Sequence, residues 1–281
     1  MDKKEKIALN IFATKARLLA LEGIYSAQSG HPGGSLSICD ILSVLYNKIL
    51  KVDPENPDDP DRDRFVLSKG HACPALYATL ALKGYFSTDL LKTLRKPDSI
   101  LQGHPDMKHV PGIDMSTGSL GQGISAACGM ALSAKLSDKS YRVYAICGDG
   151  EIQEGQVWEA AMFAAHYKLD NLCAVIDYNG LQIDGDIHKV MSPAPIDEKF
   201  KAFGWNVIVI DGHDYDAIEK AYEKAKNVKG KPTAIIAKTV KGKGVSYMEN
   251  QAGWHGNAPK TDDYNTAVSE LTAKLNELEA K

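Results

Sequence analysis

Residues 142–180 read RVYAICGDGEIQEGQVWEAAMFAAHYKLDNLCAVIDYNG. Their pattern predicts an apolar strand over 142–147, a Gly-Asp-Gly turn, a helix over 154–167 and a second apolar strand over 172–177. Asn179 follows that second strand. A strand–helix–strand unit of this kind belongs to a parallel sheet, in which ligands bind beyond the carboxyl ends of the strands. The segment therefore predicts both the fold class and the edge of the sheet that carries a ligand site.

The turn and the asparagine predict a metal–diphosphate site. Asp149 offers a hard carboxylate and Asn179 a neutral amide oxygen, the ligand types that bind a small divalent cation such as Mg²⁺ or Ca²⁺. Gly150 lets the backbone approach an anion closely, and the start of the next helix presents free N–H donors. Gly-Asp-Gly alone is also an ordinary turn. Its combination with the helix and the strand favours a diphosphate bridged by a divalent metal.

Strands and helices alternate along the rest of the chain. Further strands are predicted over 65–67, 206–210 and 233–238. Helices are predicted over 5–28, 36–50, 74–83, 121–136, 196–203, 214–228 and 262–281. This alternation predicts an α/β fold: a doubly wound, mostly parallel sheet with helices on both faces.

Four polar segments follow predicted strands, and we expect them to converge at one edge of the sheet. They are Ser68–His71, Gly148–Gly150, Asn179–Leu181 and Lys241–Gly244. Four histidines also stand beside glycines in loops: His31, His71, His104 and His255. An imidazole can hydrogen-bond a phosphate, a hydroxyl or a carbonyl oxygen near neutral pH. Any one of these histidines could also be a surface or capping residue.

Two stretches are predicted to be loops. The sequence GHPGG at 30–34 breaks the helical periodicity, because Gly and Pro disfavour helix interiors. The sequence DPENPDDPDRDR at 53–64 alternates acidic residues with Pro and Arg. We interpret it as a solvated loop without packing residues rather than as an acidic metal site.

Composition excludes several classes of function. The 281 residues carry a net charge of −3, with 44% hydrophobic and 25% charged residues, as in a globular protein. This charge gives no reason to expect nucleic acid or an anionic membrane as partner. No apolar run approaches the roughly 20 residues of a membrane span, and the charged N-terminus lacks the features of a signal peptide. Five cysteines without CxxC spacing predict buried free thiols and a cytoplasmic location.

Eight stretches resemble the N-terminal half of transketolase, from about residue 10 to about residue 260. They are SGHPGG (29–34), DRDRFVLSKGHACPALYA (61–78), GHPD (103–106), TGSLGQGISAACGMA (117–131), GDGEIQEGQVWEAAMFAAHYKLDNL (148–172), IDYNGLQIDG (176–185), AFGWNVIVIDGHD (202–214) and WHGNAP (254–259). The resemblance implies a single domain over 1–281 that binds the diphosphate of thiamine diphosphate (ThDP). It would have N-terminal helices over 5–50 and a C-terminal helix over about 262–281.

The resemblance also implies a ligand set for ThDP and Mg²⁺ (or Ca²⁺). The metal ligands would be Asp149, Asn179 and the carbonyl oxygen of Leu181. Gly118 and Leu120 would contact the aminopyrimidine. The implied cofactor-binding residues are His71, Gly118, Leu120, Gly148, Asp149, Gly150, Glu151, Asn179 and His255.

The implied catalytic residues are His31, His71, His104, His255 and Glu154. His31 and His104 would hold the hydroxyls of the donor sugar and move protons. Glu154 would link two active sites across a dimer, where meeting its own copy would favour a shared proton. From the residues alone, Glu154 could equally be an acid that the helix dipole favours. Lys243 could lie near phosphate or in solvent, and Asp184 has no assigned role.

The resemblance finally implies a missing half. A full transketolase has a second, pyrimidine-binding domain, and we expect the helix at 262–281 to end this chain without one. A separate C-terminal subunit would then supply it, with two copies of each chain, to transfer ketol groups between sugar phosphates as in the pentose phosphate pathway. Alternatives are a similar enzyme for an unusual sugar, a 1-deoxyxylulose-5-phosphate synthase, a 2-oxo acid dehydrogenase α subunit, or a non-catalytic ThDP–metal module. The GDGEIQEG and WEA sequences argue against the synthase and the dehydrogenase.

Overall fold

The computed structural model describes residues 1–281 as alternating strands and helices. The strands are β1 (Arg64–Leu67), β2 (Val143–Gly148), β3 (Leu172–Tyr178), β4 (Leu181–Gln182), β5 (Gly185–Asp186), β6 (Asn206–Asp211) and β7 (Thr233–Lys238). The helices are α1 (Lys3–Ala27), α2 (Pro32–Leu36), α3 (Cys39–Val44), α4 (Cys73–Lys83), α5 (Gln122–Leu136), α6 (Gly155–His166), α7 (Ile187–Val190), α8 (Ile196–Ala202), α9 (Tyr215–Asn227) and α10 (Thr261–Glu279).

Five strands form one parallel sheet in the order β1-β2-β3-β7-β6, and β4 and β5 form a small antiparallel hairpin. Gly148, the last residue of β2, pairs with Asp177 near the end of β3. The carboxyl ends of these two strands therefore lie at the same level. The segments that follow them, at Asp149 and Asn179, meet at one edge of the sheet as predicted.

Side chains from alternate positions of each strand cover the two faces of the sheet, since successive residues of a strand point in opposite directions. On one face, Tyr144 and Ile146 of β2 pack in a core formed with α1, α3, α4 and α9. On the other face, Ala145 and Cys147 pack against α5, α6 and α8. Strands β1, β2, β3 and β7 are covered in this way, which explains their near-continuous apolar sequences, whereas the edge strand β6 is only partly buried and leaves Val209 48% exposed. The predicted fold class is confirmed.

Helix α10 packs along α1 on the outside of this core. Its apolar side chains Ala267 and Leu271 join Leu21 of α1 and Met248 in a small buried cluster. The predicted amphipathic helix at 262–281 is present, and its observed bounds are Thr261–Glu279.

The prediction of a break over residues 30–34 followed by one helix over 36–50 was wrong in detail. Pro32 begins the short helix α2, where its fixed φ suits the first helical position and its missing N–H costs nothing. A turn separates α2 from α3, and the end of α3 widens into a π-helical turn over Leu45–Ile49. Both glycines of α2 are buried, because Lys241 and Trp254 lie against Gly33 and because His71 and Lys69 lie near Gly34.

The loop at 53–64 is also more structured than predicted. Asp63 is 3% exposed, and its carboxylate accepts hydrogen bonds from the backbone N–H groups of Lys51 and Arg142. Arg64 is the first residue of β1. The end of this loop therefore anchors the start of the sheet, and only residues before it are solvated as expected.

All five cysteines are buried and unpaired, as predicted. None of the helices combines the length and the apolar character that crossing a bilayer requires.

Candidate active site

A cleft of about 360 Å³ lies beyond the carboxyl ends of β1, β2, β3 and β7. Twelve of the predicted site residues line it: His31, His71, Gly118, Leu120, Gly148, Asp149, Gly150, Glu151, Glu154, Asn179, Leu181 and His255. Six other residues line it as well: Gly34, Lys69, Gln153, Gln182, Ile183 and Lys241. We call the buried part around Lys69, Asp149, Glu151, Asp177 and Lys241 the inner end, and the exposed part at Leu120, Glu154 and Ile183 the outer rim.

The three predicted metal ligands lie together at the inner end. Asp149 accepts hydrogen bonds from the N–H groups of Gly150, at 2.9 Å, and Gly180, at 2.6 Å. The side-chain oxygen of Asn179 accepts from the N–H of Leu181, 3.1 Å away. These bonds hold the Asp149 carboxylate, which follows β2, against the turn after β3 that carries the Asn179 amide oxygen and the Leu181 carbonyl.

This donor set fits a hard divalent cation. Burial and the Asp177 carboxylate raise the pKa of Asp149 well above its ordinary value, so ionised Asp149 would be stabilised by a positive charge beside it. No group of three His, Cys, Asp or Glu side chains in the chain could hold a metal by itself. A cation held by Asp149 and two neutral oxygens would need further ligands from phosphate, which is typical of Mg²⁺.

A buried ion pair between Lys69 and Asp177 lies next to the turn that carries Asn179. The ammonium group of Lys69 lies 2.7 Å from Asp177 and also donates to the Gly34 carbonyl at 2.6 Å. Asp177 accepts further hydrogen bonds from the side chains of Ser37, Thr239 and Asn179. Every oxygen of this buried carboxylate is therefore satisfied, and the charge of Lys69 lowers its pKa. Asp177 thereby orients Asn179 from behind.

Glu151 was predicted to bind the cofactor, but its carboxylate is occupied by protein donors. It accepts hydrogen bonds from the Ser68 hydroxyl (2.5 Å) and from the N–H groups of Gly121 (3.0 Å) and Gly148 (2.9 Å). Ser68 directly follows β1, Gly148 is the last residue of β2, and Gly121 caps the start of α5. Glu151 lines the cleft, yet its contacts join the ends of β1 and β2 to the start of α5. We therefore assign it a positioning role.

Three histidine rings and one lysine form the opposite wall. His31, His71 and His255 lie with ring centroids 5.0 to 5.6 Å apart. Lys241 donates to the Leu181 carbonyl at 3.1 Å and lies 3.0 Å from Nδ1 of His255. Burial, together with neighbouring charges that include Lys241, lowers the pKa of His31 to about 4 and that of His255 to about 3, and it lowers the pKa of His71 as well. All three imidazoles are thus neutral at pH 7, with Nδ1 of His31 left without a partner.

This wall suits an anion. Burial and the charge of Lys69 lower the pKa of Lys241, because two ammonium groups share one buried region. A phosphate group between Lys241 and the histidines would relieve that repulsion and accept their hydrogen bonds. The inner end thus pairs a cation-binding turn with an anion-binding wall, as a metal–diphosphate group requires.

His104 does not join the three-histidine cluster. Its ring packs against Gly118, where an added Cβ would lie 2.9 Å from Cδ2 of the imidazole. Gly118 also has φ +144, which a side chain would strain. The structure therefore places the predicted GHPD and TGSLGQG segments in direct contact, with His104 exposed beside the cleft.

The outer rim is exposed and partly apolar. Leu120 is 37% and Ile183 66% exposed, although both line the cleft. Glu154 is exposed at the start of α6, where its side chain makes no capping hydrogen bond. Burial of Glu154 against its own copy, as predicted, would require a second chain.

Lys243 and Asp184 lie outside the cleft lining. Lys243 forms an ion pair with Glu249 at 3.2 Å, with both side chains about one third exposed. Asp184 is exposed in the turn between β4 and β5.

Sequence reasoning located the segments of Lys69, Asp177 and Lys241 but gave these residues no role. Asp177 was the available signal, because an acidic residue closes the apolar run of β3 and must be compensated when buried. Its partner Lys69 is 108 residues away, a pairing that no local pattern shows.

Comparison with known proteins places the chain among enzymes with this type of site. Residues 9–277 match the family model described as transketolase, thiamine diphosphate binding domain. The chain is 50% identical over 268 residues to the 6-deoxy-6-sulfo-D-fructose transketolase subunit SqwG of Clostridium sp. (strain MSTE9), covering 95% of this chain and 98% of that protein. It is 44% identical over 271 residues to one of the subunits of the apulose-4-phosphate transketolase of Phocaeicola vulgatus, covering 96% of each.

A crystal structure of a transketolase mutant from Pichia stipitis superimposes with a TM-score of 0.89 and 34% identity. The match covers 98% of this chain and 44% of that one, so the chain spans less than half of this transketolase. Fold, cleft and sequence similarity agree over nearly the whole length. The chain belongs to the transketolase family and corresponds to its thiamine-diphosphate-binding domain.

Proposed function

We propose that this chain is the ThDP-binding subunit of a two-chain transketolase. The observation that carries the proposal is the inner end of the cleft, where a cation-binding turn faces a neutral histidine cluster and Lys241. Relatives that match this chain from end to end are named as transketolase subunits, which supports a division of the enzyme between two chains. A non-catalytic binding module would not need His31 and His104 beside the cleft.

In this proposal Mg²⁺ (or Ca²⁺) binds Asp149, the amide oxygen of Asn179 and the carbonyl oxygen of Leu181. The diphosphate contacts His71, His255 and the backbone around Gly150, with Gly148 beneath them. Lys241 adds a positive charge to the same wall. Bound ThDP supplies an electron sink for breaking and forming a carbon–carbon bond next to a carbonyl group.

The remaining residues orient the sugar and handle protons. His31 and His104 hydrogen-bond the hydroxyl groups of the donor, and neutral imidazoles there can accept a proton from a hydroxyl or return one. Gly118 and Leu120 pack against the aminopyrimidine ring. Packing against Gly118 partly desolvates the His104 ring although the residue is exposed overall, and this effect and the charge of Arg95 lower its pKa, which favours the neutral imidazole.

The outer rim is the surface on which we place the partner subunit. Exposed apolar side chains at Leu120 and Ile183 would be covered by a pyrimidine-binding chain, which closes the cleft over ThDP. The assembly contains two copies of each chain, so that Glu154 can meet its own copy. The five free thiols of this chain suit a cytoplasmic location, where thiols stay reduced.

The donor is a ketose with an anionic group at its far end, and the acceptor is an aldose of the same kind. Sugar phosphates would place the enzyme in the pentose phosphate pathway. The name of the 50% identical relative raises a second candidate, a ketose that carries a sulfonate. Both candidates share the ketol end that this chain contacts, so the choice between them depends on the partner.

The test is a ketol-transfer assay of this chain with a candidate pyrimidine-binding chain, ThDP and Mg²⁺. Xylulose 5-phosphate, 6-deoxy-6-sulfofructose and apulose 4-phosphate are compared as donors with ribose 5-phosphate or glyceraldehyde 3-phosphate as acceptor. We expect transfer only with both chains present, and loss of transfer in His31→Ala. Normal transfer by this chain alone would refute the two-chain proposal. ThDP binding without transfer of any donor would leave a binding module.

A further inference from the structure

One guanidinium group connects the two loops that carry His31 and His104. Arg95 donates to the hydroxyl of Ser29 at 2.9 Å, two residues before His31. It also donates to the carbonyl of Gly103 at 3.4 Å, one residue before His104. Neither loop segment is part of a helix or strand. Arg95 therefore links two loop segments whose histidines, His31 and His104, are 73 residues apart in the sequence.

The chain around Arg95 is shaped to hold this bridge. Arg95 has φ 58, a left-handed conformation that side chains rarely adopt, and its N–H donates to the Leu101 carbonyl at 2.8 Å. Gly103 leaves room for the guanidinium, since a Cβ there would lie 2.9 Å from Cζ and Nε of Arg95. The two hydrogen bonds of Arg95 thus depend on its own left-handed backbone conformation and on the absence of a side chain at Gly103.

The same cation faces both imidazoles. After burial, Arg95 is the largest cause that lowers the pKa of His31, followed by His104 and Lys241. For His104, partial desolvation of the ring is the largest cause of its lowered pKa, and Arg95 is the one charged group that adds to it. The rings of His71 and His255 also face His31, whereas Gly118 covers His104. A guanidinium keeps its charge at every pH at which the protein is folded.

We propose that Arg95 is a positioning residue that fixes the separation of His31 and His104 beside the cleft. The inference rests on the proposed function, in which both histidines hold the donor sugar. The two terminal nitrogens of the guanidinium donate the hydrogen bonds to Ser29 and Gly103. Its positive charge disfavours protonation of the His31 and His104 rings. A lysine could supply the charge but not the two directed hydrogen bonds.

The first experiment uses the chain itself and needs no activity. Ring resonances of His31 and His104 are titrated by NMR in the wild-type chain, Arg95→Gln, Arg95→Lys and the control Lys96→Gln, which removes an exposed neighbouring cation. We expect Arg95→Gln to raise the pKa of His104 by roughly 0.5 to 1 unit, with a smaller rise for His31. Arg95→Lys and the control should shift it little. An unchanged titration in Arg95→Gln would overturn the electrostatic part.

The second experiment measures ketol transfer by the assembled two-chain enzyme. Both Arg95 variants should lower kcat/KM for the donor about 10-fold, while the ThDP concentration for half-saturation stays within twofold because Arg95 lies outside the diphosphate wall. Ser29→Ala should show a smaller loss in the same direction, and it serves if the Arg95 variants unfold. Donor kcat/KM within twofold of wild type in all three would overturn the positioning role. Inactive wild-type enzyme would refute the proposed function instead, with the NMR result still deciding the charge effect.

Discussion

The inner end of the cleft and its outer rim use the same residue types in opposite ways. At the inner end, the carboxylates of Asp177 and Glu151 are buried, and every oxygen of each accepts hydrogen bonds from the protein. At the outer rim, the Glu154 carboxylate is exposed, and Ile183 presents an apolar side chain to water. One chain completes the inner end, whereas the rim has the character of a surface that a second chain covers.

The largest effect should come from breaking the inner end at its ion pair. Lys69→Met leaves the Asp177 carboxylate buried without its charged partner, so we expect the free energy of unfolding to fall by about 3–5 kcal/mol. Urea denaturation measures the change. The matched control is Lys243→Met, which removes one partner of a pair whose side chains are about one third exposed, and it should cost less than about 1 kcal/mol. Equal losses in the two variants would mean that burial of the first pair is energetically unimportant.

Ligand binding should separate the two regions next. Asp149→Asn removes the one carboxylate of the cation-binding turn, and we expect Mg²⁺-dependent affinity for ThDP to fall at least about 10-fold. Glu154→Gln changes a carboxylate at the outer rim in the same way and should leave that affinity within about twofold. Calorimetric titration of the assembled enzyme with ThDP at several Mg²⁺ concentrations gives both values. A larger loss in Glu154→Gln would place the cation at the rim.

Lowering the pH should reduce the free energy of unfolding through His31, which lies in the histidine wall of the cleft. The pKa of His31 is lowered to about 4 in the folded chain, against about 6.5 when unfolded. Below pH 6.5 the unfolded chain therefore binds more protons, and stability is lost as the pH falls. We expect His31 to account for roughly 1 kcal/mol between pH 6.5 and 5, after allowing for its partial exposure. His31→Gln should flatten the pH dependence of urea denaturation; an unchanged slope would contradict the assigned burial.

The smallest effect on folding should come from the rim. Ile183 is 66% exposed, so Ile183→Ser should change the free energy of unfolding by less than about 0.5 kcal/mol. The same substitution should weaken association with the partner chain, which sedimentation of the mixture detects. If Ile183→Ser left association intact but destabilised the isolated chain, the rim would be part of this chain's own core.

Sequence patterns predicted the parts of the molecule that depend on local periodicity. The apolar strands around Ile146 and Val175 follow directly from such runs, and so does the convergence of their carboxyl ends at Asp149 and Asn179. The short helix at Pro32 was missed, because Gly33 is tolerated there through packing against Lys241 and Trp254 rather than through helix propensity.

Contacts between distant segments were beyond such patterns. The sequence around Glu151 does not show that Ser68, Gly121 and Gly148 hydrogen-bond its carboxylate. The sequence therefore could not distinguish cofactor binding from a positioning role for this residue. Arg95 lay in no recognised pattern, and its importance follows only from two hydrogen bonds across the fold. The roles of the metal ligands and catalytic histidines stay predictions that the experiments above can test.

The ion pair between Lys69 and Asp177 also bears on when the site comes into existence. During synthesis the N-terminal part of the chain leaves the ribosome first, at about 5–20 residues per second. Lys69 must then wait for a partner 108 residues further on, and the anion-binding wall is incomplete until Lys241 and His255 have emerged. A nascent chain could hold most of its sheet and still be unable to retain cofactor. Cofactor capture would then report that the segment carrying Lys241 and His255 has docked.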